Sequence, residues 1–171
     1  TVDQYSCIIG SIPPKPHMKR SYATRSSVHL KKSAETFVKA MNLAGLECIK
    51  LMQKIIPDLY EKHKTEVYQK VPEKWRFSIS NCNISAPIHQ DRLNVKHSLN
   101  CIITKKHNAK GGDLYLPDYD ITVNSANNSL LVYPAWRNMH GVTEIKTTHD
   151  NGYRNSLIWY ALDAFKGDYN E

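Results

Sequence analysis

The chain of 171 residues is long enough to bury a core and fits one domain, expected over 1–171. Hydrophobic residues make up 41% and charged residues 23%, an ordinary globular balance that excludes a low-complexity, repeat or disordered chain. Lys and Arg number 23 against 16 Asp and Glu, a formal net charge of +7, which favours a polyanionic partner such as nucleic acid or simply keeps the protein in solution.

The four cysteines, Cys7, Cys48, Cys82 and Cys101, form no CxxC pair and no zinc-ligand spacing. Reduced, buried thiols in a reducing compartment are the expectation. No stretch approaches the roughly 18 consecutive apolar residues of a membrane span. The first residues lack a signal-peptide pattern, because Cys7-Ile8-Ile9 is too short an apolar run. The location expected is intracellular: cytoplasmic, or nuclear if eukaryotic.

Residues 1–32 read as an irregular basic arm, since Pro13, Pro14 and Pro16 forbid regular helix there. The stretch Lys19-Arg20-Ser21-Tyr22-Ala23-Thr24-Arg25 mixes cations, hydroxyls and an aromatic ring. It suits phosphate contacts, with Arg20 and Arg25 the candidates beside Lys19, and it equally suits a solvated arm.

Helices are expected over 33–70. Ser33 is a good N-cap type, and Phe37, Met41, Ala44, Cys48, Met52 and Ile55 recur at steps of three and four, one face of an amphipathic helix. Pro57 should end or interrupt it. A shorter helix through Leu59, His63 and Val67 follows, with His63 a packed side chain.

A β core is expected over 75–162, beginning at Trp75. Arg76-Phe77-Ser78-Ile79-Ser80-Asn81, Ser98-Leu99-Asn100-Cys101 and Thr122-Val123-Asn124 alternate polar and apolar. Short apolar runs follow at Asp113–Leu116, Ser129–Tyr133 and Ser156–Tyr160. Gly111-Gly112, Pro117-Asp118 and Asn127-Asn128 punctuate them as turns. About eight short strands at this spacing suggest an antiparallel sandwich or barrel. The fold class is α+β, supporting helices first and then the sheet layers.

The chemistry-bearing residues are His89-Gln90-Asp91, then His140, then Arg154-Asn155-Ser156. Residues two apart in a strand share a face, so His89 and Asp91 can reach one ion together. His140 from a distant strand would complete a set of two imidazoles and one carboxylate on one side of the metal. That leaves the opposite positions open, the geometry of non-haem Fe(II) oxygenases. Both O₂ and a chelating 2-oxo acid need those positions. If the co-substrate is a dicarboxylate, its far carboxylate needs a buried cation. Arg154 offers a planar bidentate fork, and Ser156 on the same face a further hydrogen bond.

Taken together, His89-x-Asp91, His140-Gly141-Val142, Arg154-x-Ser156 and the segment Gly111-Gly112-Asp113-Leu114-Tyr115-Leu116-Pro117 resemble the Fe(II)/2-oxoglutarate-dependent dioxygenase superfamily. The resemblance implies a double-stranded β-helix, or jelly roll. It implies Fe(II) on His89, Asp91 and His140, with 2-oxoglutarate and O₂ as co-substrates. It implies Arg154 on the far carboxylate, helped by Ser156, and oxidative decarboxylation to succinate and CO₂. The Arg-Asn-Ser-Leu-Ile-Trp-Tyr ending is most similar to the TET/J-binding-protein group, which oxidises the 5-methyl group of pyrimidines in nucleic acid. A prolyl-hydroxylase-like enzyme shares nearly all the same residues, and an inactive jelly-roll binding module is a third reading. The basic charge favours DNA.

A base in a duplex would have to be flipped out, and Lys105, Lys106 and Lys110, in a loop expected to be mobile, are further candidates for phosphate contacts. Asn83 or Asn81 could face the co-substrate, or satisfy backbone at a strand end. Arg92 could pair with Asp91 or point to solvent. Tyr133, Trp136 and Tyr153 could line the pocket. Core packing suits Tyr133 better, and Trp136, near His140, is the better stacking candidate. His97, His107 and His149 are rival ligands without a matching partner.

Overall fold

The computed structural model describes residues 3–15, 17, 19–20, 22–70 and 77–165. Pro16, Ser21, Trp75 and Arg76, each used above, lie outside them. The N-terminal stretch departs from the irregular arm expected of it. β1 (Tyr5–Ile12) lies antiparallel to β3 (Phe77–Cys82), in register from Tyr5 opposite Cys82 to Gly10 opposite Phe77. Its outer side carries the two-residue β2 (Thr24–Arg25). Ile8, Ile9 and Ile12 are strand formers, and Ile9 and Ser11, two apart, are both buried. Pro13 and Pro14 mark where this strand stops rather than ruling it out.

The helices fall close to where periodicity puts them. α1 spans Glu35–Ile55 and α2 spans Pro57–Lys70. Ser33 is not the cap; it sits in a short 3-10 turn, Lys32–Ala34, and Ala34 precedes α1 without a side-chain cap bond. Met41, Cys48 and Met52 are buried, whereas Phe37 and Ile55, at the two ends of the stripe, are exposed. On α2, among the described side chains, Tyr60 and Val67 are buried and Leu59 is exposed. His63 accepts from the Leu99 backbone N–H at 2.8 Å, a packed histidine as its position suggests.

Every pairing among the named strands is antiparallel. One sheet of six runs β2-β1-β3-β12-β5-β9, with β12 at Tyr153–Tyr160, β5 at Asn100–His107 and β9 at Ser129–Tyr133. A sheet of four runs β4-β10-β7-β8, from Ala86–His89, His140–Val142, Leu114–Leu116 and Ile121–Val123. β6 (Ala109–Gly111) and β11 (Ile145–Thr147) form a third, two-stranded sheet. These two strands escape a sequence reading because Ala109-Lys110-Gly111 and Ile145-Lys146-Thr147 each offer a single apolar side chain among polar neighbours and glycine.

Alternation along β5, β9 and β12 decides what each face of the six-stranded sheet meets. Cys101, Leu130, Val132 and Trp159 point to the helices, where Met52, Tyr60 and Leu99 complete a core. Gly45 of α1 brings the helix close there, as a Cβ on it would lie 3.0 Å from the Trp159 indole nitrogen. Burial pushes the Cys101 thiol up to about 12, as expected of an unreactive core thiol. The next residues along, Ile102, Leu131 and Ile158, point the other way and pack with Leu114, Leu116 and Val123 of the four-stranded sheet.

A third cluster closes one end, where Phe165 is fully buried among Ala23, Val67, Val95 and Ala161. It joins the segment after β12 to α2 and to the segment between β4 and β5. Phe165→Ala is therefore expected to destabilise the fold by about 3–5 kcal/mol, read as a lowered urea midpoint with an unchanged slope.

Candidate metal centre and cavity

His89 is the last residue of β4, and His140 the first of β10, directly opposite it in the ladder. Their ring centroids are 4.3 Å apart. Asp91 does not continue the strand of His89. The chain has already turned, and the Asp91 N–H donates to the Ala135 carbonyl at 3.1 Å. The two residues converge because of that turn, not because of the period of a strand. One ligand atom from each of His89, Asp91 and His140 lies within 4.8 Å of the other two, so the three could hold a metal ion.

The donor set fits that role. His89 Nδ1 is 2.8 Å from the Pro87 carbonyl, and His140 Nδ1 is 2.9 Å from the Asn138 carbonyl. A carbonyl only accepts, so each Nδ1 carries a proton and Nε2 is the ring nitrogen left to offer a metal. The two Nε2 atoms face Asp91 Oδ1, at 3.4 Å for His89 and 4.0 Å for His140. Burial lowers the His140 pKa, opposed by the Asn138 carbonyl and by Asp91. This favours the neutral imidazole that a metal needs. Side-chain exposure runs from 4% at His140 through 28% at Asp91 to 43% at His89, so the group is open on one side.

Gln90, between two of the candidate ligands, fixes the approach to the third. Its side-chain N–H groups donate to the Trp136 and Arg137 carbonyls, each at 2.9 Å. The turn before His140 is held further by Asp118, which accepts from Met139 N at 3.1 Å, and by Asn138 donating to the Tyr119 hydroxyl at 3.0 Å. Asp91 Oδ2 accepts from Asn100 at 3.1 Å and from Asn94 at 3.4 Å. Sequence reasoning passed over Gln90, Asn94 and Asn100. The signal available was Asn100, a polar residue on the same face of its strand as Ile102 and Thr104, all three of them buried.

A cavity of about 440 Å³ is lined by this triad and also by Arg154, Ser156, Ile158 and Tyr160 of β12. The first three of these β12 residues have partners on β5: Arg154 faces Lys106, Ser156 faces Thr104 and Ile158 faces Ile102. The strand pair thus grades from cations through hydroxyls to aliphatics. Arg154 and Ser156 are both buried, and Arg154 Nε and Ser156 Oγ have no hydrogen-bond partner. Burial lowers the Arg154 pKa, and nearby Asp113 opposes the shift. Two buried donors without partners fit an anionic ligand carrying acceptor oxygens. Gly112 lies flat against this arginine, since its φ is +69° and a Cβ would come within 2.9 Å of Arg154 Nε. Tyr133 is buried with its ring edge-on to His140 at 5.2 Å.

Other candidates fall elsewhere. Asn83 is not on the cavity; its Oδ1 accepts from Arg154 N at 2.8 Å and its Nδ2 donates to the Asp3 carbonyl at 3.1 Å. Asn81, opposite Ser156 on β3, is the asparagine that lines it. Arg92 lines the cavity but bonds Gln90 Oε1 at 3.3 Å instead of Asp91. Trp136 is not among the lining residues and stands edge-on to His97 at 5.0 Å.

The lysines expected in a mobile loop are strand residues. Lys106 on β5 turns inward to the Gly111 carbonyl and Asp113. Lys105 is exposed and bonds Asn128, and Lys110 on β6 is exposed. The Arg20 guanidinium donates to the Pro13 carbonyl at 2.6 Å, and Arg25 is exposed on β2.

No protein-family model matches the chain, and no curated protein matches it. Solved structures do. NgTET1 in complex with 5mC DNA aligns over 97% of this chain and 64% of its own, with TM-score 0.71 and 12% identity. The full-length Neurospora crassa thymine-7-hydroxylase in complex with alpha-KG aligns over 96% of this chain and 59% of its own, with TM-score 0.50 and 12% identity. Both are Fe(II)/2-oxoglutarate oxygenases, the superfamily that the motifs resemble. The chain spans less than two thirds of either neighbour's length, and the likeness is one of fold.

Gly112→Ala is expected to strain a left-handed backbone position and displace Arg154. Stability should fall by about 1 kcal/mol or more in urea unfolding.

Proposed function

We propose that this chain is an Fe(II)- and 2-oxoglutarate-dependent dioxygenase that hydroxylates a C–H bond, its substrate the 5-methyl group of a pyrimidine base in DNA. One observation carries this reading: a single cavity is lined by His89, Asp91 and His140 and also by a buried Arg154 and Ser156 whose donors lack partners. The two facing antiparallel sheets are read as the jelly roll of that superfamily. In this reading His89 and His140 hold Fe(II) through Nε2 and Asp91 through Oδ1. The metal would supply O₂ activation, in which 2-oxoglutarate is decarboxylated to succinate and CO₂, one oxygen atom going to succinate and the other into the substrate's C–H bond.

The chain's own residues do the rest. Arg154 pairs with the far carboxylate of the co-substrate through its fork, and Ser156 donates a further hydrogen bond to it. Ile102, Leu114, Leu131 and Ile158 surround the cavity with aliphatic surface that excludes water. Support for a nucleic-acid substrate comes from the net charge of +7 and from a fold neighbour solved with 5mC DNA. A base would reach the metal only by leaving its stack. Arg92 lines the cavity, and the exposed Arg25, Lys105 and Lys110 are candidates for phosphate contacts elsewhere on the surface.

Two experiments test this. Mixed with Fe(II) and 2-oxoglutarate without oxygen, the protein should show a weak visible charge-transfer band that His140→Ala lacks. Arg154→Ala should keep the metal and need far more 2-oxoglutarate to reach the same band. No band from the folded wild type would sink the enzyme reading and favour a binding module. Affinity for DNA should fall steeply between 50 and 200 mM salt, on the order of tenfold or more for a few phosphate contacts. A flat salt response would turn the substrate assignment towards protein.

A further inference from the structure

Asp91 is the candidate ligand whose two oxygens are differently engaged. Oδ1 faces the two Nε2 atoms, while Oδ2 accepts from Asn100 Nδ2 at 3.1 Å and Asn94 Nδ2 at 3.4 Å. An ionised carboxylate can only accept, so both carboxamides must turn their NH₂ groups to it. That leaves Asn100 Oδ1 pointing away, where it accepts from Asn94 Nδ2 at 2.9 Å. The three side chains close a triangle. Asn100 and Asn94 are 3% and 5% exposed, so water competes little for these bonds. Asn100 opens β5 in the six-stranded sheet, and Asn94 bridges Leu162 just beyond β12. The triangle ties the turn that carries Asp91 to the sheet that carries Arg154.

We propose that Asn100, locked by Asn94, is a positioning residue that holds Asp91 as a one-oxygen ligand. The inference rests on the metal reading above and names a determinant of it outside the three ligands. A carboxylate with both oxygens free can grip a metal through both. It would then occupy a position that an oxygenase must leave open for its co-substrates. With Oδ2 hydrogen-bonded twice, only Oδ1 is offered. The donors are neutral amides, so they orient the anion without placing a competing cation beside the metal site.

The test is titration of the metal-free protein with Co(II), followed by visible absorption. Wild type should bind, and His140→Ala should not. Asn100→Ala should bind about 10–100-fold more weakly, with a changed Co(II) spectrum, and Asn94→Ala should shift both in the same direction by less. Ser98→Ala, an equally buried neighbour outside the triangle, should match wild type in both readouts. Wild-type affinity and spectrum in Asn100→Ala would overturn the proposal and leave the metal centre standing. Should Asn100→Ala fail to fold, the same result in Asn94→Ala would overturn it. A wild type that takes up no Co(II) overturns the metal reading and the proposal together.

Discussion

A strand has two faces and a period of two, and in this molecule β12 uses both faces at once. Trp159 commits one face to the helices. By parity Arg154, Ser156, Ile158 and Tyr160 must then share the other, and all four line the cavity. A one-residue slip would bury Trp159 in the cavity and turn the arginine towards the helices. β12 lies between β3 and β5, with long registers to each, so such a slip would break both ladders. The packing of an indole on Gly45 and the placement of a buried cation are consequences of one register.

The triad depends on a different kind of order. Only the two histidines are strand residues, and Asp91 is held by a turn. Short contacts replace the missing ladder: Asp91 N to Ala135, Gln90 to Trp136 and Arg137, and Asp91 Oδ2 to two asparagines. A neutral hydrogen bond is worth about 1 kcal/mol net and one to a charged carboxylate about 1.5–3 kcal/mol, so no single one dictates the geometry. Together they tie the segment before His140 to the segment after His89.

Much of this is legible in the residues. The spacing of Met41, Cys48 and Met52 marks the helix, alternation marks β3, β5 and β8, and short apolar runs mark β7, β9 and β12. Residue type and order single out His89, Asp91 and His140. Strand period, however, is the wrong reason for pairing His89 with Asp91, because it has no bearing on a residue that lies in a turn. β1 is hidden by the prolines that follow it, as helix-breaking residues say nothing about the extended chain before them. Asn83 and Asn81 cannot be told apart by counting, since a left-handed Asn83, with φ of 54°, ends the strand between them. The triangle around Asp91 is invisible for another reason: nothing local in sequence links Asn100 to a carboxylate nine residues earlier.

The Asn83 side chain joins the Asp3 carbonyl to the amide of Arg154. β1, which follows Asp3, covers the edge that β3 would otherwise present to solvent. Anyone trimming this polypeptide to a minimal folded unit would be tempted to discard the first dozen residues as a tail. Doing so would remove an acceptor from a carboxamide that braces the buried arginine and would expose a row of unpaired amides, an invitation to aggregation.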